Sequence, residues 1–205
     1  MQVAPNPLFN FGENQDFTVE CRVRTTQATD VAIVTSKDWG SGVNKGFVFS
    51  FGFSSGPEWK VNIGDGTNRV DINTGGEIAD NEWTTLSVSF DRDGMMRMYE
   101  DGVFVDEADI SGIGDIDTDG GLVFGVDILG DYDYLGAIAE VRVWNAVLGN
   151  AAIADYSCTG VDLVHPNFNN LIDYWKMNEG TGATVEDFST NDKCRYYRRC
   201  RVVSS

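Results

Sequence analysis

Apolar and polar side chains alternate along much of this chain, most clearly over residues 81–106, NEWTTLSVSFDRDGMMRMYEDGVFVD. Leu86, Val88 and Phe90 alternate there with threonine and serine, a period of two that is typical of a β-strand with one buried face. Acidic residues and glycine then form two turn sequences, so the segment predicts three consecutive antiparallel strands. We expect its apolar face to pack on a second sheet and its hydroxyl face to meet solvent.

Further strands are predicted by the same alternation at Phe17–Arg24, Phe47–Phe53, Leu122–Ile128 and Gly136–Trp144. The phenylalanines at 47–53, together with Trp59, are expected to lie in the core. A helix is predicted only near 150–156, with Asn150 as its cap. Many short strands without alternating helices predict an all-β fold, a two-sheet antiparallel jelly-roll sandwich.

The regular strand pattern ends at about residue 160. Residues 1–160 are predicted to form one jelly-roll domain, since an all-β sandwich of this size is commonly a single domain. Residues 161–205 form a C-terminal appendage, which either completes the sandwich or starts a truncated further module. Its end, KCRYYRRCRVVSS at 193–205, has no core pattern and is predicted to be a basic, solvated tail.

The chain is strongly acidic, with a formal net charge of −17, and the charge is unevenly placed. Residues 1–192 carry 10 Lys and Arg against 32 Asp and Glu, a net charge of −22. Such a body repels nucleic acid and anionic membranes, and no apolar run has the length of a transmembrane helix. We therefore expect no nucleic-acid partner and no membrane insertion. Neutral partners, cations such as Ca²⁺, or solubility alone are compatible with the acidic surface.

Six segments carry a resemblance to a known family: FTVECRVRT at 17–25, SKDWGSGVNKGF at 36–47, WKVNIGDGTNRVDI at 59–72, NEWTTLSVSFDRDG at 81–94, YEDG at 99–102 and GAIAEVRVWNAVL at 136–148. In content and order they resemble the laminin-G-like, pentraxin-like branch of the concanavalin A-like lectin/glucanase superfamily, of the type found in bacterial surface proteins with several modules. The resemblance implies a jelly roll that is secreted or displayed at the cell surface, with the bacterial envelope as its expected location. Ala139 stands where relatives often have aspartate, so any metal ligand at that place is missing here.

No catalytic residues are predicted. The glucanase branch uses two carboxylates in a Glu-x-Asp-x-x-Glu strand motif, which does not occur here, and Glu140 stands alone. Residues 52–56, GFSSG, match the G-x-S-x-G string of serine hydrolases, but a strand follows where the nucleophile elbow needs a helix. We therefore expect the chain not to be an enzyme, and a degenerate glucanase is the least favoured interpretation.

Calcium is the one cofactor that the sequence suggests. Asp115, Asp117 and Asp119 alternate in DIDTDG, the first half of a D-x-D-x-D-G loop, and oxygen ligands at alternate positions suit a hard cation. Val126 stands where the twelfth position of such a loop needs a glutamate, and a strand follows instead of a helix. An acidic surface turn is therefore the competing and favoured interpretation of these three aspartates.

Two loops combine aromatic rings with amides and carboxylates, the groups that stack on the apolar side of a sugar ring and bind its hydroxyls. The residues concerned are Asp38, Trp39 and Asn44 in the first loop and Asp131, Tyr132 and Tyr134 in the second. From them we predict a non-catalytic recognition module that binds carbohydrate, with a glycan or a neighbouring domain of the same polypeptide as partner. The alternative is a structural spacer or protein-interaction domain within a larger enzyme.

Overall fold

The computed structural model of the chain describes residues 1–40, 42–52, 58–119, 121–181 and 184–189. The described strands, in chain order, are β1 (Phe17–Thr25), β2 (Val31–Thr35), β3 (Gly46–Phe51), β4 (Trp59–Gly64), β5 (Arg69–Ile72), β6 (Thr84–Phe90), β7 (Met95–Glu100), β8 (Val103–Asp109), β9 (Val123–Phe124), β10 (Gly136–Trp144) and β11 (Leu171–Trp175). Within these same ranges one α-helix, α1 (Asn150–Tyr156), and two 3₁₀ turns, Pro7–Phe9 and Phe168–Asn170, accompany them. The predicted all-β class and the short helix are confirmed.

The strands form two antiparallel sheets. The six-stranded sheet has the order β11-β10-β1-β6-β7-β8, and the five-stranded sheet has the order β5-β4-β3-β2-β9. The predicted three-strand meander is confirmed as β6, β7 and β8, which are neighbours in the larger sheet. Because the period of two places alternate residues of each strand on one face, the apolar faces of the two sheets meet and bury each other.

The core between the sheets is aromatic at its centre. The Phe17 ring lies 5.5 Å from that of Phe47 across the sheets and stacks at 4.2 Å on Phe90. Trp59 is fully buried, and its indole Nε1 donates to Glu100 Oε2 at 2.9 Å. The predicted burial of Trp59 and of the described phenylalanines of β3 is therefore confirmed, whereas Phe53 lies outside the described residues.

The outer face of the six-stranded sheet contradicts the prediction of a solvated hydroxyl face. Ser87 and Ser89 of β6 are fully buried. The covering layer is α1 with the segment that follows it, since Thr85 Oγ1 donates to the carbonyl of Ser157 at 2.7 Å. A second apolar cluster fills the space between sheet and cover; it contains Tyr99, Trp144, Leu148, Ile153, Leu171 and Tyr174.

Two charged side chains are buried under this cover. Arg142 Nη1 lies 3.7 Å from Glu20 Oε2, and both side chains are 2% exposed. Glu20 also accepts hydrogen bonds from Ser87 Oγ at 3.1 Å and from Trp144 Nε1 at 3.0 Å. Burial raises the pKa of Glu20, and attraction by Arg142 opposes the rise. Every oxygen of this carboxylate therefore has a partner, as a buried charge requires.

The segment after residue 160 adds a strand to the sandwich. β11 pairs antiparallel with β10 at the edge of the six-stranded sheet. Trp175 of β11 packs in the main core, with its ring 5.3 Å from that of Phe124. The described part of the appendage therefore adds an edge strand to the six-stranded sheet. The basic tail at 193–205 lies outside the described residues.

The helix cap differs from the expectation. Gly149 occupies the N-cap position of α1, and Asn150 is the first helical residue. The Asn150 side chain cannot cap the helix because its Oδ1 accepts a hydrogen bond from the Tyr99 hydroxyl at 2.7 Å. The contact fixes α1 over β7 and thus holds the cover of the sheet in place.

Candidate ligand-binding recess

The loop between β2 and β3 folds around the Asp38 carboxylate. Asp38 Oδ1 accepts a hydrogen bond from the amide of Gly40 at 2.8 Å, and Oδ2 accepts one from Asn44 Nδ2 at 3.1 Å. A Cβ atom at Gly40 would lie 3.3 Å from the Tyr132 hydroxyl, so a residue without a side chain lets the two loops approach closely. Asp38 and Asn44 thus shape the loop that presents Trp39.

Trp39 and Tyr132 come together from loops that are far apart in the sequence. Their ring centroids lie 4.6 Å apart at an interplanar angle of 63°, the edge-to-face arrangement that aromatic rings prefer. The buried carboxylate of Asp127 joins the loops, because it accepts from the amide of Trp39 at 3.3 Å and from that of Asp131 at 3.0 Å. The aromatic pair is therefore held by backbone contacts on both sides.

Trp39 of this pair borders a recess of about 370 Å³ on the outer face of the five-stranded sheet. Trp59, Val61 and Ile63 of β4 point into the core, so the intervening residues face outward. The side chains that line the recess are Trp39, Lys60, Asn62, Arg69, Asp71 and Asn73. Such a volume lies within the usual range of small-molecule sites, about 300–1,000 Å³.

The polar walls of the recess are fixed by contacts among themselves. Asn62 stands opposite Asp71 in the β4–β5 ladder. Arg69 Nε donates to both carboxylate oxygens of Asp71, at 2.9 and 2.8 Å, and Arg69 Nη1 donates to the carbonyl of Gly42 at 3.2 Å. The recess therefore offers an amide, a carboxylate and a guanidinium in set positions around one aromatic ring.

A buried lysine lies beneath this polar surface. The Lys37 side chain is 1% exposed, and its Nζ donates to Asn62 Oδ1 at 3.0 Å. Burial lowers the pKa of Lys37 to about 8, and repulsion by Arg69 adds to the fall while Asp71 and Asp38 oppose it. The amine thus orients the Asn62 amide, whose nitrogen stays available for a ligand oxygen.

The structure brings four of the six predicted ligand-binding residues together, namely Asp38, Trp39, Asn44 and Tyr132. Trp39 is only 7% exposed, so its ring offers an edge rather than a full face. The Asp131 side chain is exposed, and its backbone amide stabilises the loop by donating to the Asp127 carboxylate. Tyr134 turns away from this group into the core, where its ring lies 6.2 Å from that of Phe51.

The sequence prediction missed the polar residues of β4 and β5. Lys60 and Asn62 alternate with core residues, as do Arg69, Asp71 and Asn73, so the signal was present in the period of two. A sheet face that is simply exposed to solvent has polar residues at the same alternate positions. Only the neighbouring Trp39 loop distinguishes a recess from a plain surface.

The three aspartates considered for calcium have other contacts. Asp115 Oδ2 lies 2.5 Å from Lys45 Nζ, and Asp117 Oδ1 accepts from the amide of Gly12 at 2.7 Å. Within the described ranges, no group of three His, Cys, Asp or Glu side chains is placed to hold a metal ion, and Asp119 joins no such group. Asp115 with its lysine partner fits the acidic surface turn that the sequence favoured, and calcium binding stays a prediction.

Glu140 and the single histidine of the chain, His165, both have structural partners. The Glu140 carboxylate accepts hydrogen bonds from Arg142 Nη2, at 3.1 Å, and from the Tyr174 hydroxyl. His165 is buried, with its ring stacked at 4.6 Å on Trp144. The serine of the GFSSG string lies outside the described residues. In the part of the chain that the structure describes, no helix has the length and apolar character needed to cross a membrane.

The fold and the recess define the class of this protein. It is a β-sandwich domain with a polar recess on an outer sheet face. A laminin-G-type family model matches residues 2–154, so the chain belongs to the concanavalin A-like lectin/glucanases superfamily, as the resemblance predicted. No curated protein matches the chain.

Several solved structures share the fold. A candidate carbohydrate binding protein from Bacteroides ovatus is 19% identical with a TM-score of 0.68, over 91% of this chain and 52% of that one. The binding domain of Paraclostridial Mosquitocidal Protein 1 is 16% identical with a TM-score of 0.62, over 74% and 39%. A heptameric SAP-like pentraxin from Limulus polyphemus is 20% identical with a TM-score of 0.57, over 78% and 75%. The chain thus spans about half or less of the first two, and at these identities the likeness concerns the fold alone.

Proposed function

We propose that the chain is a non-catalytic carbohydrate-recognition module whose ligand binds in the recess beside Trp39. The observation that carries the proposal is the convergence of an aromatic ring with amide, carboxylate and cationic groups around about 370 Å³. Sugars present an apolar C–H surface and a ring of hydroxyls, and this set of groups matches both. The printed descriptions of two similar structures, a candidate carbohydrate binding protein and a toxin binding domain, are in keeping with it.

The recess is organised before a ligand arrives. Asp71 is tied to Arg69, Asn62 is tied to Lys37, and Asp127 joins the Trp39 loop to the Tyr132 loop. Because these side chains need not be ordered on binding, the entropic cost of capturing a sugar is reduced. A preorganised polar site of this kind supports recognition of hydroxyl patterns.

The acids at the recess support binding rather than hydrolysis. Glycosidases use a protonated acid and a second carboxylate free to attack or to activate water. Both oxygens of Asp71 accept from Arg69, and both oxygens of Asp38 accept from Gly40 and Asn44. We extend the proposal to a secreted or surface-displayed polypeptide with neighbouring domains, which is in keeping with the family type.

A glycan array followed by calorimetric titration of the best ligand tests the proposal. Asn73 is exposed and its replacement spares the core, so Asn73→Ala is expected to weaken binding about 2- to 10-fold, the worth of one hydrogen bond. Trp39→Ala is expected to weaken it more than Trp39→Phe, which keeps a ring. Leu163→Ala, at a side chain that is 77% exposed, is the control with unchanged affinity.

Thermal unfolding of each variant separates loss of the site from loss of the fold. An array with no bound glycan would refute the proposal. Wild-type affinity in Asn73→Ala and in a folded Trp39→Ala would refute it as well, because the ligand would then bind elsewhere.

A further inference from the structure

A second outer surface of the molecule combines charge with an exposed ring. The guanidinium groups of Arg22 and Arg24 lie over the Trp83 indole, 5.5 and 5.2 Å from its centroid. Trp83 is 36% exposed, whereas each of the four other tryptophans is at most 7% exposed. Arg22 and Arg24 lie on the outer face of β1, and Trp83 directly precedes β6; we call these three residues the Arg–Trp patch.

The two arginines differ from Arg69, Arg97 and Arg142 in forming no ion pair within the described ranges. Arg69 and Arg97 each contact a carboxylate at 2.9 Å or less. Neither Arg22 nor Arg24 forms an ion pair with any acid in the described ranges. This includes Glu82, which is next to Trp83 in the sequence. Two adjacent cations without a counter-charge are unusual in a chain with 32 acids and repel each other, so an oxyanion between them is favoured.

One donor of the patch is already shielded from water. Arg22 Nε is buried and has no hydrogen-bond partner among the described residues. A buried donor without a partner costs free energy, which a ligand oxygen can recover. The planar guanidinium is suited to oxyanions because it presents parallel N–H donors.

The surface beside the arginines is flat and open. Ala139 stands opposite Arg22 and Ala137 opposite Arg24 in the neighbouring strand β10, so only methyl groups rise on that side. β1 is paired on both edges, with β10 and with β6, and offers no free backbone groups to an added peptide strand. A rigid ring with an acidic substituent fits this surface better than an extended peptide does.

We propose that the Arg–Trp patch is a binding site for an acidic saccharide unit, a pyranose that carries a carboxylate or a sulfate. The acidic group accepts hydrogen bonds from Arg22 and Arg24, and the ring packs against Trp83 and the alanines. The net charge of −17 disfavours non-specific attraction of any polyanion, so binding of an acidic saccharide here reports a local site rather than general charge. The site is separate from the recess and does not depend on it.

Quenching of tryptophan fluorescence tests the local charge. Because Trp83 is the most exposed of the five tryptophans, an ionic quencher reports mainly on its surroundings. Iodide is expected to quench more than caesium at low ionic strength, although the net charge of the protein favours the cation. Arg24→Gln is expected to lower the iodide quenching constant about twofold. Arg97→Gln, the same charge change at an ion-paired arginine, is expected to leave it unchanged. A ratio of iodide to caesium quenching constants no higher than that of free N-acetyltryptophanamide would overturn the proposal.

Affinity electrophoresis tests the ligand class with matched polymers. Polygalacturonate and its methyl ester share one ring and differ in charge, as dextran sulfate and dextran do. We expect retardation by polygalacturonate, by dextran sulfate or by both, and a weaker effect of the uncharged partner; the active polymer identifies a carboxylate or a sulfate. Arg24→Gln is expected to weaken retardation about 10- to 100-fold, the worth of a hydrogen bond to a charged group.

Three variants distinguish binding at the patch from binding at the recess and from a general effect of charge. Trp83→Leu is expected to weaken retardation, whereas Arg97→Gln and the recess variant Asn73→Ala are expected to leave it unchanged. Equal loss in Arg97→Gln and Arg24→Gln would show a general charge effect and overturn the proposal. No retardation by either acidic polymer would overturn it too, whatever the glycan array shows for the recess.

Discussion

Lys37 lies buried beneath the recess, and its replacement by methionine is expected to stabilise the protein at neutral pH. The side chain is 1% exposed and forms no ion pair with any acid in the described part of the chain. Its one hydrogen bond, to Asn62 Oδ1, does not replace the water that a full charge loses on burial. Methionine has a similar shape and carries no charge.

The magnitude follows from the pKa. Burial, with repulsion by Arg69, lowers the pKa of Lys37 from 10.5 to about 8, which corresponds to about 3 kcal/mol against the charged form in the folded state. Loss of the hydrogen bond to Asn62 costs about 1 kcal/mol. We therefore expect Lys37→Met to raise the free energy of unfolding by about 2 kcal/mol at pH 7.

The sign of the pH dependence is fixed by the direction of the shift. Between pH 8 and 10.5 the unfolded state binds the proton and the folded state releases it, so the wild type gains stability as pH rises through this window. The Lys37→Met variant does not gain stability in this way, because methionine does not titrate. The advantage of Lys37→Met is therefore constant below about pH 8 and shrinks toward pH 10.5.

Urea unfolding at several pH values between 7 and 10 measures this difference, and the tyrosines and cysteines cancel because both proteins contain them. Lys45→Met is the matched control, since Lys45 is exposed and paired with Asp115, so its removal is expected to change stability little. A destabilised Lys37→Met at pH 7, or a difference that does not change with pH, would refute the reasoning.

Two further outcomes are expected. Gly75→Ala places a Cβ atom within 3 Å of the Trp59 carbonyl and of Met98 Cε, so it is expected to lower the free energy of unfolding by about 2 kcal/mol in urea titrations, whereas Gly112→Ala, with open space around it, should not. Burial lowers the pKa of His165, and repulsion by Arg142 adds to this, so stability is expected to fall as pH drops below about 6.5. His165→Phe should reduce that acid sensitivity in thermal unfolding, and an unchanged pH profile would contradict the assignment.

The inward faces of the strands were predictable because burial follows the period of two. Phe17, Val19 and Cys21 lie in the core as their spacing indicated. The outward faces were not predictable in this way, since polar side chains on a strand do not reveal whether another segment covers them. Ser87 is buried because α1 and the segment after it fold over β6. The sequence of this covering segment has no pattern that predicts where it packs.

The second aromatic loop shows where spacing misleads. Tyr132 and Tyr134 are two residues apart, which on a strand places both rings on one face. Tyr132 has a φ of 61°, a left-handed conformation that turns the chain between them. The result is that the Tyr132 ring packs on Trp39 and the Tyr134 ring lies in the core, where its hydroxyl donates to the carbonyl of Ala137 at 3.3 Å. A single backbone angle thus decides which tyrosine reaches the Trp39 loop.

Half of the lysines and arginines in residues 1–192 lie at the recess or at the Arg–Trp patch, five out of ten. The recess lies on the outer face of the five-stranded sheet, and the two arginines of the patch lie on the outer face of the six-stranded sheet. The two faces belong to different sheets, whose separation of about 10 Å and intervening core prevent one sugar from reaching both. We therefore expect the two proposed sites to act independently, so that a glycan held in the recess would leave Arg22 and Arg24 open to a second chain.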